Sequence, residues 1–428
     1  MIGLVGMSHQ GLFLSSYLNR LNRKFICFDN NYKNLDKLNN KNQILSLEKL
    51  IDKNLKRKKI HITNNFQLIK KCNYIIISQD VEIDESGNKN LKKINYLINQ
   101  VSKYIEKNSI LILMSQVDVG YTRNIYIKKK FDFKNVFLIN SPNTLVIGNS
   151  YNSFNSHREI MIGVLDVQNT QNNLFIKKIK DFTKIISKRY YFASFETVEL
   201  SKEALMLKLA LDVSFSNFIS HFSHLYNADY ENVINYLKND KRFSKHAYWT
   251  PGLGFAGGHT ERSLNFFRRF SKGSQKKFIN EIKNFNLSRI QLLKKNIIDL
   301  KLKSKYEICI IGIAYKKNSS STLNSFAFQL ISLFKKSYFN YFDSTSDFNS
   351  EIKLLKKPKK KPDLDSALFD CKVLIILNQN LDIDHLILNK NLFKKHKIKF
   401  VIDPLKFLIN LKKYFQNNNI KYINLFEK

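Results

Sequence analysis

Ile2-Gly3-Leu4-Val5-Gly6-Met7-Ser8-His9-Gln10-Gly11 opens the chain, and an apolar stretch, Leu12–Leu21, leads from it to Lys24-Phe25-Ile26-Cys27-Phe28-Asp29. Ile2–Val5 has the length and composition of a strand, Leu12–Leu21 the length of a helix, and Lys24–Phe28 reads as a second strand. The order is that of a βαβ unit with a phosphate-binding turn. Such a turn wants one Gly for the tight bend, a second where the backbone approaches a pyrophosphate, a third for helix–strand packing, and an acid about 20 residues on for the ribose hydroxyls. Gly6 and Gly11 hold the outer places, Ser8 stands at the middle one, and Asp29 follows Gly11 by 18 residues. Ser8 adds a Cβ where the phosphate comes close, with a hydroxyl that can donate to it. An acid at the end of the second strand, with no Arg beside it, favours NAD over NADP. Gly6, Ser8, Gly11 and Asp29 are therefore candidate cofactor residues, against the plainer reading of a structural βα turn.

Further strand-like runs at Tyr74–Ser78, Ile110–Met114, Val136–Asn140 and Ile160–Val164 are spaced by segments long enough for helices, the alternation of a parallel sheet covered on both faces. From Thr197 to about Lys238 the sequence is helix-forming without strand signals. Alternation restarts near residue 305, with Tyr306–Gly312, Tyr338–Phe342, Lys372–Leu377 and Ile398–Ile402. The expectation is an α/β chain with two Rossmann-like, doubly wound parallel-sheet domains, at 1–190 and 299–428, joined by a helical middle domain at 191–298. Four of the 13 glycines fall in one segment, Pro251-Gly252-Leu253-Gly254-Phe255-Ala256-Gly257-Gly258-His259-Thr260, more than a bland loop requires.

The net charge of +36 suggests a polyanionic partner at first sight. The 71 basic residues are 60 Lys and only 11 Arg, the residue suited to bidentate phosphate and base contacts. Lys, Asn, Ile, Phe and Tyr, all abundant here, share A/T-rich codons, so no nucleic-acid partner is expected. The densest basic run, Lys356-Lys357-Pro358-Lys359-Lys360-Lys361-Pro362, reads as a solvated loop between a helix and a strand, with prolines breaking any helix. No stretch reaches the roughly 18 apolar residues of a membrane span, and the first residues carry no basic leader of a secretory signal. Cys27, Cys72, Cys309 and Cys371 lie in or beside strand-like runs without CxxC pairing, as buried reduced thiols of a cytoplasmic protein would. No metal is expected.

Across its whole length the chain resembles the UDP-glucose/GDP-mannose dehydrogenase family. The family's opening turn matches Ile2–Gly11, and its Asp-Glu-x-Gly matches Asp84-Glu85-Ser86-Gly87. Its Ser-Thr-Val-x-x-Gly-x-Thr segment is similar to Ser115-Gln116-Val117-Asp118-Val119-Gly120-Tyr121-Thr122, and its Ser-Pro-Glu to Ser141-Pro142-Asn143. Ala-Glu-Leu-x-Lys looks like Val198-Glu199-Leu200-Ser201-Lys202, Asp-x-Arg like Asp240-Lys241-Arg242, and Gly-x-Ala-Tyr-Lys is intact as Gly312-Ile313-Ala314-Tyr315-Lys316. The resemblance implies NAD-dependent oxidation of the C6 alcohol of a UDP- or GDP-sugar, in a homodimer formed through the helical domain. It implies catalytic places at Lys202, His259 and Asn143, a cofactor contact at Ser115, and substrate contacts at Arg242, Gly254, Phe255 and Lys316.

The chain departs from the family pattern at its nucleophile. Oxidation of the intermediate aldehyde normally uses a Cys in the Gly-rich loop, because an aldehyde can surrender a hydride only after something adds to its carbonyl. That Cys is His259, or Thr260 in the other alignment, and the Glu of Ser-Pro-Glu is Asn143. The Asn four places after the catalytic Lys is Met206, and the late Asp-Gly-Arg is Asp403-Pro404-Leu405. The expected activity is thus a nucleotide-sugar dehydrogenase limited to one oxidation step. His259 as general base on a hydrated aldehyde is the route to a second step, and a relative that only binds NAD and nucleotide sugar is the alternative.

Overall fold

The structure, a computed structural model, describes residues 1–30, 62–84, 88–132, 134–142, 159–168, 173–187, 189–301, 307–317, 319, 321–334, 339–348 and 358–424. The chain divides into two compact units, Met1–Leu205 and Met206–Lys428.

In the first unit β1 (Ile2–Val5), α1 (His9–Arg20) and β2 (Phe25–Phe28) form the expected βαβ unit. β3 (Ile62–Thr63), β4 (Tyr74–Ile77), β7 (Ile110–Leu113), β8 (Phe137–Asn140), β9 (Ile160–Val164) and β10 (Tyr190–Ser194) complete an eight-stranded sheet in the order β10-β9-β8-β7-β4-β1-β2-β3. β5 (Glu82–Ile83) and β6 (Lys89–Asn90) make a separate antiparallel ladder. β1 pairs in parallel with β2 on one side and β4 on the other, so the strand order reverses at β1/β4. In sheets of this kind ligands bind at that reversal, outside the carboxyl ends of the strands. Alternation sorts the strands onto two cores: Leu4, Ile76, Ile110 and Ile112 pack on one face, Val5, Ile75, Ile77, Leu111 and Leu113 on the other. Each fully buried Leu or Ile contributes about 1.5–3 kcal/mol relative to exposure. The faces are covered by α1, α2 (Lys92–Tyr104), α3 (Tyr121–Lys128) and α4 (Asn173–Ile186).

The division between the units falls within α5 (Phe195–Leu225). In the second unit α6 (Tyr230–Asn239), α7 (Gly258–Phe270) and α8 (Gly273–Asp299) precede a six-stranded, all-parallel sheet. Its strands are β11 (Ile308–Ile311), β12 (Asn340–Phe342), β13 (Lys359–Lys360), β14 (Val373–Ile376), β15 (Phe400–Ile402) and β16 (Lys421–Ile423), ordered β13-β12-β11-β14-β15-β16. That order is the dinucleotide-fold order, so both α/β regions are doubly wound as expected. The basic run is not wholly a loop: Lys359 and Lys360 are exposed yet form the edge strand β13, paired in parallel with β12. Lysines on an edge discourage further strands from adding there, which reconciles the charge with the strand. Lys356 and Lys357 lie outside the described residues. All four cysteines are free and buried, and no helix among the described residues is long and apolar enough to cross a membrane.

Candidate active site

The β1–α1 turn shows why its glycines are there. Gly6 has φ +88, and a Cβ on it would lie 2.6 Å from Gln79 Cβ; one on Gly11 would lie 2.2 Å from Gly6 O. The Ser8 side chain turns to the end of β4, donating to Ser78 O at 3.1 Å and accepting from the Asp80 N–H at 2.7 Å. It therefore stitches the two strands bordering the reversal. α1 begins with no side-chain cap and no acidic residue in its first turn, the arrangement that receives an anion. Asp29 is buried and its Oδ2 accepts from the Met7 N–H at 2.8 Å, tying the carboxylate to the turn. Ser115, just past β7, donates to Gln79 O at 2.6 Å, and Gln79 Oε1 is buried without a donor among the described residues. Gly6, Ser8, Gly11, Asp29 and Ser115 are thus brought together at the carboxyl edge, around an uncapped helix end and a buried acceptor. These residues fit NAD.

On the same unit, two buried carboxylates of α5 grip the loop after β7. Glu199 accepts from the Gly120 N–H (2.6 Å) and from the N–H (2.9 Å) and hydroxyl (2.5 Å) of Thr122. Burial raises its pKa, and these hydrogen bonds oppose the rise. Four residues on, Glu203 accepts from Lys89 Nζ at 2.6 Å and Gln116 Nε2 at 3.0 Å. Lys202 lies between them in sequence, half-buried.

In the second unit the Gly-rich segment is held by amides. Gly252 N–H donates to Asn217 Oδ1 (2.8 Å), Phe255 N–H to Asn286 Oδ1 (2.7 Å), and Asn286 Nδ2 returns a bond to Phe255 O (3.0 Å). Gly254, with φ +109, passes so close that a Cβ would lie 2.0 Å from Asn286 Oδ1. The Phe255 ring is buried against Ala210, Leu264, Ile279 and Ile282, where it anchors the loop. Gly257 packs on the Tyr315 ring, a Cβ there falling 2.7 Å from Tyr315 Cδ2. Lys316 lies over that same ring at 5.4 Å, and burial lowers its pKa to about 8. The second unit thus joins Gly254, Phe255 and Lys316 to one loop. His259, on the first turn of α7, is exposed, and Arg262 Nη2 lies 2.9 Å from its Nδ1. A guanidinium only donates, so Nδ1 accepts and a neutral ring carries its proton on Nε2. A cavity of about 590 Å³ lies beside the start of the loop, lined by Thr250, Pro251, Ser220, His224, Leu405, Lys406 and Lys412 among others.

Arg242 stands apart from the loop: its side chain is 81% exposed and its guanidinium bonds Asp240 and lies over the Phe243 ring. Asn143 lies outside the described residues, as do Glu85, Ser86 and Gly87. Sequence reading missed Gln79, Lys89, Glu203, Asn217 and Asn286. Only spacing from Glu199 could have flagged Glu203, since four residues place both on one helix face.

The NAD-binding domain model of the UDP-glucose/GDP-mannose dehydrogenase family matches residues 1–180, and the central domain model of the same family matches 196–288. The UDP-glucose 6-dehydrogenase of Rickettsia bellii is 24% identical over 364 residues, 82% of each chain. That of Rickettsia felis is 23% identical over 445 residues, 99% of this chain and 94% of its own. Among solved structures, the UDP-glucose dehydrogenase of Pyrobaculum islandicum superposes with a TM-score of 0.80 at 16% identity, covering 100% of this chain and 98% of that one, and so shares the fold. With two matched domains spanning more than half its length, the chain belongs to the UDP-glucose/GDP-mannose dehydrogenase family and is an NAD-dependent oxidoreductase acting on the CH–OH group of a nucleotide sugar.

Proposed function

We propose that the chain oxidises the C6 alcohol of a UDP-sugar, with UDP-glucose as the reference substrate, and stops at the aldehyde. The observation that carries the single step is the state of the thiols. The loop position of the family's Cys falls on His259, or on Thr260 in the other alignment, and neither carries a thiol. Cys27, Cys72, Cys309 and Cys371 are all buried to 1% exposure or less, in the cores of the two sheets or at their edges. Burial pushes Cys72 up to about 11 and Cys27 higher still, and a hydrogen bond with Cys371 together with burial raises Cys309. None offers a thiolate for covalent capture.

Gly6, Ser8, Gly11, Asp29 and Ser115 hold NAD, which supplies the acceptor for the hydride leaving C6. The Lys202 ammonium stabilises the negative charge that develops on the C6 oxygen as the alcohol proton departs. Lys316, Gly254 and Phe255 hold the nucleotide sugar, Lys316 through its charge and the other two through the shape of the loop. Arg242, exposed and apart from the Gly-rich segment, serves the partner subunit of a homodimer. A stripe of exposed aromatics, Phe215, Phe218 and Phe222 on α5 and Tyr226 just past its end, supports a second copy as its cover, Tyr226 being 73% exposed. Reduced, buried thiols accord with a cytoplasmic location, and the helices from Phe195 to Asp299 act as the helical middle; the expected boundary at 191 falls inside β10 and moves to Phe195.

With its Nδ1 accepting from Arg262, neutral His259 carries its proton on Nε2. That geometry argues against a base that would hydrate the aldehyde. The test is the count of NADH formed per UDP-glucose consumed. One supports the proposal; two overturns the single step; none across a panel of UDP- and GDP-sugars overturns the substrate reading.

A further inference from the structure

Lys89 and Glu203 form an ion pair that the reaction scheme above does not use. Their side chains are 2% and 0% exposed, with Nζ 2.6 Å from Glu203 Oε1. Lys89 is held further by Val117 O at 2.8 Å and Asp118 Oδ1 at 3.1 Å, and Glu203 Oε1 also accepts from Gln116 Nε2 at 3.0 Å. Gln116, Val117 and Asp118 directly follow Ser115, whose hydroxyl bonds the carbonyl of Gln79 beside Gly6. A continuous set of contacts therefore runs from the turn after β1, across the ends of β4 and β7, to the residue next to Lys202.

Buried ion pairs are poor stabilisers. Desolvating both charges offsets most of their attraction, and apolar residues of equal volume often serve a fold as well or better. Glu203 is not even fully served, since its Oε2 is buried without a donor among the described residues. What the pair does supply is direction. Glu199 and Glu203, one helical turn apart, fasten a single face of α5 to two successive pieces of the loop after β7, Gly120–Thr122 and Gln116, and Lys202 rides on the turn they span. A helix held at one point can roll about it; held at two points one turn apart, it cannot.

We infer that Lys89 and Glu203 are positioning residues for Lys202, fixing the rotation of α5 against the carboxyl edge of the NAD-binding sheet. The inference rests on the role proposed for Lys202, so the experiment begins with Lys202→Ala: if that variant keeps the parent's kcat with UDP-glucose and NAD, the Lys202 reading fails before the pair is tested. The single variant Glu203→Gln removes one of the carboxylates facing the buried Lys89 ammonium and can fail to fold. The informative protein is therefore the double variant Lys89→Met/Glu203→Leu. Its melting temperature is expected within a few degrees of the parent's. Its kcat is expected to fall by about 10–100-fold, the range for a small misplacement of a reacting group. KM for NAD should stay within about twofold, because the turn that holds the cofactor is untouched. The deuterium isotope effect on kcat with C6-deuterated UDP-glucose should rise as the hydride step becomes slower. Lys89→Arg, which keeps a buried cation with donors, should retain most of the rate. A double variant with the parent's kcat overturns the inference. So does one whose lost activity comes with a melting temperature lowered by about 10 °C or more, the signature of a structural role.

Discussion

The backbone N–H of Met7 donates to Asp29 Oδ2 at 2.8 Å, so the acid at the end of β2 fastens the glycine turn at the end of β1. The second unit repeats the device: Ile313 N–H, just past Gly312, donates to Asp343 Oδ2 at 2.9 Å. Asp343 Oδ1 is taken by the N–H and hydroxyl of Thr345 and the N–H of Ser346. Gly312 is also packed hard on Asn378, whose carbonyl oxygen a Cβ would approach to 2.4 Å. The second turn is closed by its own chain. Asp29→Ala should therefore raise KM for NAD by about tenfold or more, the worth of one hydrogen bond to a charged group. Asp343→Ala should leave that KM unchanged and lower the melting temperature instead, since each N–H it strands costs about 1–3 kcal/mol. Initial rates over a range of NAD concentrations, beside thermal melts of both variants, check this; equal KM changes in the two would refute it.

The thiols make a second expectation. Cys27 and Cys72 are raised by burial, Cys72 to about 11, and Cys309 is raised by its hydrogen bond with Cys371 and by burial. At pH 7.5 these three hold almost no thiolate, alkylation needs an accessible thiolate, and burial keeps the reagent from all four. Native protein treated with iodoacetamide should keep its full rate and show no added mass, whereas all four cysteines should label in urea. Loss of activity with modification of one cysteine would mean that a thiol reaches the substrate after all.

Much of this was legible in the sequence because it depends on near neighbours. Gly6, Gly11 and Asp29 sit at the separations that a strand, a turn and a helix impose, and the apolar runs that became β7, β11 and β14 are buried on both faces, so they read as continuous strands. What was not legible depends on partners distant in the chain. Lys359 and Lys360 become a strand only because β12 offers them an edge. Nothing local distinguishes Lys89, buried, from the other lysines of a chain that has 60 of them. Phe255 read equally well as a substrate contact or a loop anchor, and its packing on Leu264 and Ile282 could come only from the fold.

Asn286 is another such residue, and it bears the shape of the Gly-rich loop. Its amide bonds both the N–H and the carbonyl of Phe255, and all three groups are buried. Asn286→Ala would strand two backbone groups, at about 1–3 kcal/mol each. For a unit of this size that is a fall of roughly 5–15 °C in melting temperature. Because the same bonds shape the segment from Gly254 to Gly257, KM for UDP-glucose should rise while KM for NAD holds. Asn286→Asp separates the contributions: its carboxylate can still accept from Phe255 N–H but cannot donate to Phe255 O, so it should fall between parent and Ala variant. An Ala variant with the parent's melting temperature would remove the loop-holding role.

Lys316 gives the protein a pH dependence whose sign can be worked out. Burial lowers its pKa from 10.5 to about 8, so the folded protein gives up this proton more readily than the unfolded chain, while the ammonium still predominates at neutral pH. Between about pH 8 and 10.5 the unfolded chain holds a proton that the folded one has released, and stability attributable to this group rises with pH across that window. Binding of a diphosphate works the other way, because an anion beside Lys316 favours the ammonium and raises its pKa. Affinity for UDP-glucose should therefore be flat below about pH 7.5 and fall as pH climbs through 8, by at most tenfold per pH unit for a single proton. Tyr315, under the ammonium, is itself raised by burial and stays neutral throughout, so it adds no charge to the balance. Lys316→Arg should keep affinity near pH 7 and flatten the decline, a guanidinium remaining charged to pH 12 and beyond. Lys316→Met should bind weakly at every pH with no inflection near 8. Calorimetric titration of UDP-glucose at half-unit steps from pH 6.5 to 9.5 distinguishes the three, and an unchanged inflection in the Met variant would assign the titration to some other group.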